Sequence, residues 1–339
     1  LCHFNRQTAR KTAHFKEPQT LNCKLETVII FAGMQVHRKM EYLPPFKNAV
    51  ITIGTFDGVH EGHQKIIDAL TKEADKADGE SVIITFDPHP RKIVNPNETL
   101  QLINTLSEKT ELLAKTGIDH LVVVPFTAQF ADQSAEEYIQ NFLIGHFHPT
   151  TIIIGYDHHF GKGRKGNYRL LEEKAPEFNY TLLEIPKHVL DEIGVSSTKI
   201  RNALLESDID TANKLLGYDF FFEGHVIEGD KLGRQLGYPT ANLEYTDAEK
   251  IHLGHGVYAV YVDINGVTKK GMLSIGNRPT LASSNERIEV NIFDWEEEIY
   301  GQTLRVIVKK YLRPQEKYDS LEALIQQLHR DKQDSLSCL

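Results

Sequence analysis

Gly54-Thr55-Phe56-Asp57-Gly58-Val59-His60-Glu61-Gly62-His63 is the stretch on which the reading of the fold turns. It directly follows a β-rich run, Ala49 to Ile53, and directly opens a helical stretch from His63 to about Lys76. Gly54, Gly58 and Gly62 let the backbone turn sharply and let a ligand approach closely. The helix start then offers unpaired N–H groups and the positive end of a dipole to phosphate. His60 and His63 are three residues apart, so both can point to one side of the first turn. Imidazoles there could donate hydrogen bonds to a triphosphate and stabilise charge on a leaving pyrophosphate. Either histidine alone would read as an ordinary surface residue; the whole arrangement favours a phosphate site.

Outward from this stretch, four more short runs alternate with helical segments: Ser81 to Phe86, His120 to Phe126, Thr150 to Gly155 and Tyr180 to Pro186. They are near-continuous Val, Ile and Leu, as strands of a parallel sheet covered on both faces are. Helical segments fall at Ser107 to Thr116 and from Ser134, whose Glu137 completes a capping box. The alternation predicts a doubly wound parallel sheet, with ligands beyond the carboxyl ends of its strands. A further helix spans about Lys199 to Leu216, broken near Ser207 and capped by Gly217.

After Gly217 the pattern is β: Phe220 to Ile227, Val257 to Ile264, Thr268 to Ile275, Ile288 to Phe293 and Leu304 to Tyr311. Asn265-Gly266 marks a hairpin turn. A closing helix starts near Asp319 or Ser320, with Leu321, Leu324, Ile325 and Leu328 on one face. These features predict a small antiparallel barrel with a packed C-terminal helix.

The chain has 339 residues, 40% hydrophobic and 25% charged, with no apolar run near the ~20 residues of a membrane span. A formal charge of −9 argues against a surface that coats nucleic acid, though not against binding one nucleotide. Cys2, Cys23 and Cys338 lack Cys-x-x-Cys spacing, which disfavours a disulfide framework or structural zinc and makes a reducing cytoplasm the simplest home. Residues 1–33 form a basic leader, read as disordered or as sequence upstream of a start at Met34 or Met40. Its apolar core is too short for an export signal.

Val195-Ser196-Ser197-Thr198-Lys199-Ile200-Arg201 follows the last parallel run and sets three hydroxyls and two cations at a helix start. Together, Thr55 to His63 and Val195 to Arg201 resemble the HxGH and Ser-Ser-Thr-x-x-Arg signatures of the nucleotidyltransferase superfamily. Thr85-Phe86-Asp87-Pro88-His89-Pro90 and Gly155-Tyr156-Asp157 onward to Gly161 resemble one branch, the FMN adenylyltransferase module of bacterial bifunctional riboflavin kinase/FAD synthetases. The resemblance implies ATP as co-substrate, with His60, His63, Ser197, Thr198 and Arg201 on its phosphates. Gly54, Phe56, Asp57 and Gly58 would shape the loop, and Asp87, His89 and Asp157 the nucleotide and flavin pockets. Where the family often has Asp-Phe-Arg-Phe-Gly, this chain has Asp157-His158-His159-Phe160-Gly161, so no role is carried over to His158 or His159. Gly161-Lys162-Gly163-Arg164-Lys165-Gly166 fits G-x-G-x-x-G but reads better as a mobile basic loop.

The chain has no Walker P-loop. Gly224 to Asn242 instead carries repeated glycines around Lys231 and Arg234, then Gly237-Tyr238-Pro239-Thr240-Ala241-Asn242. Thr240 and Asn242 offer neutral oxygens suited to Mg²⁺ shared with ATP phosphates. This stretch resembles the Gly-x-Pro-Thr-Ala-Asn signature of riboflavin kinases, joined by Gly256 to Ala259, Ser274 to Thr280 and Tyr300-Gly301. The resemblance places Gly229, Lys231, Gly233, Arg234, Gly237 and Pro239 around the nucleotide. Glu289 alternates with Ile288 and Val290 on a strand, so it shares a face with Asn291; it matches the family's catalytic Glu, the general base. The implied division is 34–217 for FMN adenylyltransferase and 218–339 for riboflavin kinase. Riboflavin, FMN and ATP would be its partners, with no nucleic acid or membrane and with room for weak self-association. A monofunctional adenylyltransferase with an inactive barrel, and a non-catalytic flavin-binding regulator, are the competing expectations.

Overall fold

The computed structural model describes residues 19–20, 29–186, 194–229, 232–277 and 286–339. Most of the basic leader, Cys2, Cys23, Lys231 and Arg278-Pro279-Thr280 lie outside the described residues. By packing, the chain forms two compact units: Leu1–Thr55, Ile66–Val94 and Thr110–Ile185; and Phe56–Lys65, Asn95–Lys109 and Pro186–Leu339.

The first unit is built on an eight-stranded sheet. Its strands are β1 Gln19–Thr20, β2 Ile29–Phe31, β3 Met34–His37, β4 Val50–Ile53, β5 Ser81–Asp87, β6 His120–Pro125, β7 Thr151–Gly155 and β8 Thr181–Ile185. The spatial order is β1-β2-β3-β6-β5-β4-β7-β8, with β3 to β8 parallel and β1 and β2 antiparallel at one edge. The five apolar runs of the sequence become β4 to β8; β4 is buried along its whole length because helices cover both faces. Connections after β4 run one way across the sheet and β7 lies on its other side, which makes the β4/β7 boundary the topological switch point. Gly54, Asp87 and Asp157 follow or end the neighbouring strands β4, β5 and β7 at this carboxyl edge.

The Ser134–Glu137 capping box forms as expected. Phe160 and Gly166 exchange backbone hydrogen bonds, and Lys162 pairs with Asp132 at 2.6 Å.

The second unit carries a closed six-stranded antiparallel barrel in the order β10-β13-β12-β11-β14-β9. Its strands are β9 Phe221–Ile227, β10 Ala241–Tyr245, β11 Gly256–Ile264, β12 Val267–Asn277, β13 Glu286–Ile292 and β14 Thr303–Arg313. Asn265 and Gly266 turn the β11–β12 hairpin with φ of 53° and 85°. The helical stretch before the barrel is two helices, Ser197–Leu205 and Ile209–Leu216, parted at Ser207 and capped by Gly217. Their apolar faces join the barrel interior in one core through Leu204, Leu216, Phe220, Tyr258 and Leu273.

Two features depart from the sequence reading. Ala241–Tyr245, absent from the β-rich runs of the sequence, is the strand that closes the barrel between β9 and β13. It is short and only Leu243 is fully buried, so its apolar signal is faint. The C-terminal helix Leu321–Cys338 leaves Leu321 alone of its four named apolar residues exposed and also buries Asp331, which takes a bidentate contact from Arg313 at 2.7 and 2.6 Å. A buried carboxylate satisfied by a guanidinium fork adds to the apolar docking of the helix, in which Leu324 and Ile325 are half-buried and Leu328 packs against Tyr238, Met272 and Phe293.

Candidate active sites

The loop after β4 is conformationally demanding. Phe56, Gly58 and Val59 adopt φ of 48°, 91° and 38°, and Val59 is β-branched in the left-handed region. Such residues persist only where surroundings over-determine them, and they concentrate at functional sites. The surroundings are clear. Asp57 is 1% exposed; its Oδ1 accepts from Ile103 N and Asn104 N at 3.0 and 3.2 Å, and its Oδ2 is paired with Arg201. Ser197 Oγ donates to Asp57 O at 2.9 Å, and Arg201 Nε donates to Gln101 O at 3.0 Å. Thus the two sequence signatures, 144 residues apart, meet through an ion pair.

His60 caps the helix Glu61–Lys76: its Nδ1 accepts from His63 N at 3.3 Å. That bond leaves the proton of a neutral imidazole on Nε2. The two rings stack with centroids 3.7 Å apart and an interplanar angle of 11°. Gly62 makes room for this, since a Cβ there would meet Val195 Cγ1 at 2.9 Å and the His60 ring at 3.3 Å. Burial lowers His60 to about 4 despite the carboxylate of Asp57. Burial, with His60 and Lys109 nearby, holds His63 well below its usual value. His63 Nδ1 is buried without a hydrogen-bond partner, a polar atom with nothing yet to bind.

In the first unit, His89 is nearly buried and its Nδ1 accepts from Arg91 N at 3.2 Å, while Asp87 and Asp157 are exposed. His158 is lowered to about 4 by burial and its neighbour His159 is exposed.

In the barrel, register does what sequence spacing could not. Glu289 on β13 lies directly opposite Asn242 on β10 and Ser274 on β12. Directly paired residues of antiparallel strands project from the same face, so the three form one row. Arg287 Nη1 lies 3.7 Å from Glu289 Oε1, and both side chains are about a third exposed. Gly229 crowds this row: a Cβ there would fall 2.0 Å from Asn242 Nδ2. The Thr240 loop is clamped as well. Asn291 Nδ2 donates to Pro239 O at 2.6 Å and Tyr238 N donates to Gly233 O at 2.8 Å. Gly237 turns with φ 78°, and Arg234 is exposed beside it.

Residues 44–199 match the FAD synthetase family and residues 216–339 the riboflavin kinase family. A bifunctional riboflavin kinase/FMN adenylyltransferase of Listeria monocytogenes is 38% identical over 85% of this chain and 91% of its own length. The chain belongs to the bifunctional riboflavin kinase/FMN adenylyltransferase family. The Escherichia coli member is 32% identical over 85% of this chain and 92% of its own, and the Pseudomonas fluorescens member 35% identical over 88% and 96%. A crystal structure described as a macrolide-efflux protein of Streptococcus pneumoniae superposes with a TM-score of 0.81 at 32% identity, covering 88% of this chain and 98% of that one. Among the described residues no helix is long and apolar enough to cross a membrane.

Within this bifunctional family framework, sequence reasoning missed several residues near the sites. Tyr238 Oη meets His329 Nδ1 of the C-terminal helix at 2.5 Å. Gln315 Nε2 donates to Ser274 Oγ at 3.1 Å beside Glu289. Neither His329 nor Gln315 belongs to a recognisable motif, so only the folded chain reveals them.

The buried histidines also set a pH limit. His37, like His60, is lowered to about 4, by burial and then by His120. Both are neutral when folded at pH 5, yet take up a proton near pH 6.5 when unfolded, so protons favour the unfolded chain. Stability is complete above about pH 6.5 and falls as pH drops toward 4, by up to about 3 kcal/mol for each histidine. Thermal melts across pH should show a midpoint that is level above neutrality and declines steeply below pH 6; a level midpoint down to pH 5 would contradict this.

Proposed function

We propose that this chain phosphorylates riboflavin to FMN and then transfers AMP from ATP to FMN, giving FAD and pyrophosphate. The observation that carries the first half is the row Asn242–Glu289–Ser274 beside the clamped Thr240 loop. The second half rests on the stacked neutral His60–His63 pair at a helix start, braced by Asp57 and Arg201.

In the kinase step the riboflavin 5′-hydroxyl oxygen attacks the γ-phosphorus of ATP, its proton passes to Glu289, and ADP leaves. Thr240 and Asn242 present neutral oxygens, a donor set that fits Mg²⁺ bound jointly by ATP phosphates. When bound, the cation would neutralise phosphate charge. Gly229, Gly233, Arg234, Gly237 and Pro239 would cradle the nucleotide, with Lys231 assigned by resemblance. Gly229→Ala should press on Asn242, raising the Mg²⁺ concentration needed for half-maximal FMN formation about tenfold while leaving FMN-to-FAD conversion within twofold. An unchanged Mg²⁺ requirement would remove Asn242 from this role.

In the adenylyl step an FMN phosphate oxygen attacks the α-phosphorus and the bond to pyrophosphate breaks, with no covalent enzyme intermediate. His60 and His63 donate from neutral rings to the phosphates, Arg201 adds charge, and Ser197 and Thr198 add helix-start donors. Asp57 orients Arg201, with Phe56 and Gly58 shaping the turn. Gly54, Asp87, His89 and Asp157 are assigned to the nucleotide and flavin pockets by resemblance. The proposed division of labour is 34–217 for adenylyl transfer and 218–339 for phosphorylation. The sparse cysteines suit a reducing cytoplasm.

Isotope placement tests the sequence of steps. Riboflavin with γ-³²P-ATP should give labelled FAD, whereas FMN with γ-³²P-ATP should give unlabelled FAD and labelled pyrophosphate. Labelled FAD from FMN would contradict attack at the α-phosphorus.

A further inference from the structure

The division of the chain by sequence family is not its division by packing. The histidine loop Phe56–Lys65 and the segment Asn95–Lys109 belong to the same compact unit as the barrel, although both lie inside the FAD synthetase match. Both segments are also bonded by residues of the riboflavin kinase match.

Tyr218 Oη lies 2.7 Å from Gly58 O, in the strained turn two residues before His60, and 3.1 Å from Asn104 Oδ1. Burial raises its phenol far above the ordinary value, so it is a permanent neutral donor. Further on, Lys250 is 1% exposed and Glu108 2% exposed, and their charged ends meet at 2.5 Å. Lys250 Nζ also donates to Ile103 O at 2.8 Å and lies 4.7 Å from the centre of the Phe220 ring. Leu102 N donates to Glu249 O at 2.7 Å, and Ile251 N donates to Leu102 O at 2.8 Å. The peptide so fixed is the one whose next N–H groups, Ile103 and Asn104, hold Asp57 Oδ1. A continuous series of bonds therefore runs from Lys250 through Ile103 to Asp57 and Arg201, and a second runs from Tyr218 to Gly58.

We propose that Tyr218 and the Lys250–Glu108 pair are positioning residues for AMP transfer, supplied in part by the chain that carries the kinase. Removing them lets the His60–His63 pair and Arg201 shift relative to the α-phosphorus, and sub-ångström misplacement of such groups is costly to rate. They act through the loop and touch neither substrate nor reacting atoms. The inference rests on the FMN adenylyltransferase reading above.

Tyr218→Phe removes one hydroxyl, and Lys250→Met with Glu108→Gln removes both buried charges while keeping their bulk. The wild-type chain and both variants are assayed separately for FMN-to-FAD and riboflavin-to-FMN conversion. For each variant kcat for FAD formation should fall about tenfold with KM for ATP and FMN within twofold, while FMN formation stays within twofold. The retained kinase rate reports the fold in the same preparation. FAD formation unchanged in Tyr218→Phe, or lost in parallel with FMN formation in both variants, would overturn the proposal. A wild-type chain that makes no FAD from FMN would instead overturn the functional reading on which it stands.

Discussion

Glu289→Gln should lower riboflavin-to-FMN conversion by about 10³-fold, within the range for loss of a general base, and leave FMN-to-FAD conversion unchanged. Glutamine keeps the shape and can still accept a hydrogen bond in the row with Asn242 and Ser274, so the barrel register is undisturbed. It cannot take the 5′-hydroxyl proton. The side chain stands on a strand whose alternate residues, Ile288, Val290 and Ile292, are buried in the barrel core, so the change falls on the polar face alone. Parallel assays of the two half-reactions decide the matter. Equal loss of both would mean that Glu289 serves the fold and not the chemistry.

His60→Asn is expected to separate two jobs held by one ring. Nδ1 of His60 caps the helix by accepting from His63 N, and asparagine is among the best N-cap residues. The helix should therefore remain capped and the melting temperature should move little. What asparagine lacks is the Nε2–H at the far edge of the ring, the donor that the proposed mechanism assigns to phosphate. FMN-to-FAD conversion should fall by about 10²-fold, the usual effect of removing one donor that stabilises transition-state charge. Riboflavin-to-FMN conversion should persist. A near-normal rate of FAD formation would show that the ring is a cap and no more.

How much of this was legible in the sequence depends on the range over which each feature acts. The histidine loop could be read because its parts are local: a strand end, three glycines, and two histidines a helical turn apart. The largely buried strands β4 to β7 announced themselves as near-continuous apolar runs, and Asn265-Gly266 fixed a hairpin. The face of Glu289 followed from alternation with Ile288 and Val290, but its neighbour Asn242 did not. That pairing depends on the register of β10, a strand too polar and too short to be noticed. The union of Asp57 with Arg201, and of Glu108 with Lys250, spans 144 and 142 residues. No local pattern records such partners; each charge alone resembles a solvated surface residue. The burial of Asp331 was hidden for the same reason, since a carboxylate in a helix is ordinarily exposed unless something like Arg313 is waiting for it.

These long-range pairs also explain why sequence families and packing units cut the chain at different places. Family signatures follow the residues that meet substrate. Packing follows whatever holds those residues still, and here the segment around Ile103 is held by Lys250.

The most direct test of the central claim is product analysis after incubating the pure chain with riboflavin, ATP and Mg²⁺, with FMN replacing riboflavin in a parallel tube. FAD in both tubes is the predicted result, because only a chain with both activities can carry riboflavin through to FAD. FAD from FMN alone would contradict the kinase half and leave a monofunctional adenylyltransferase. No flavin product in either tube, from protein shown to be folded, would contradict both halves and leave a flavin-binding protein without turnover.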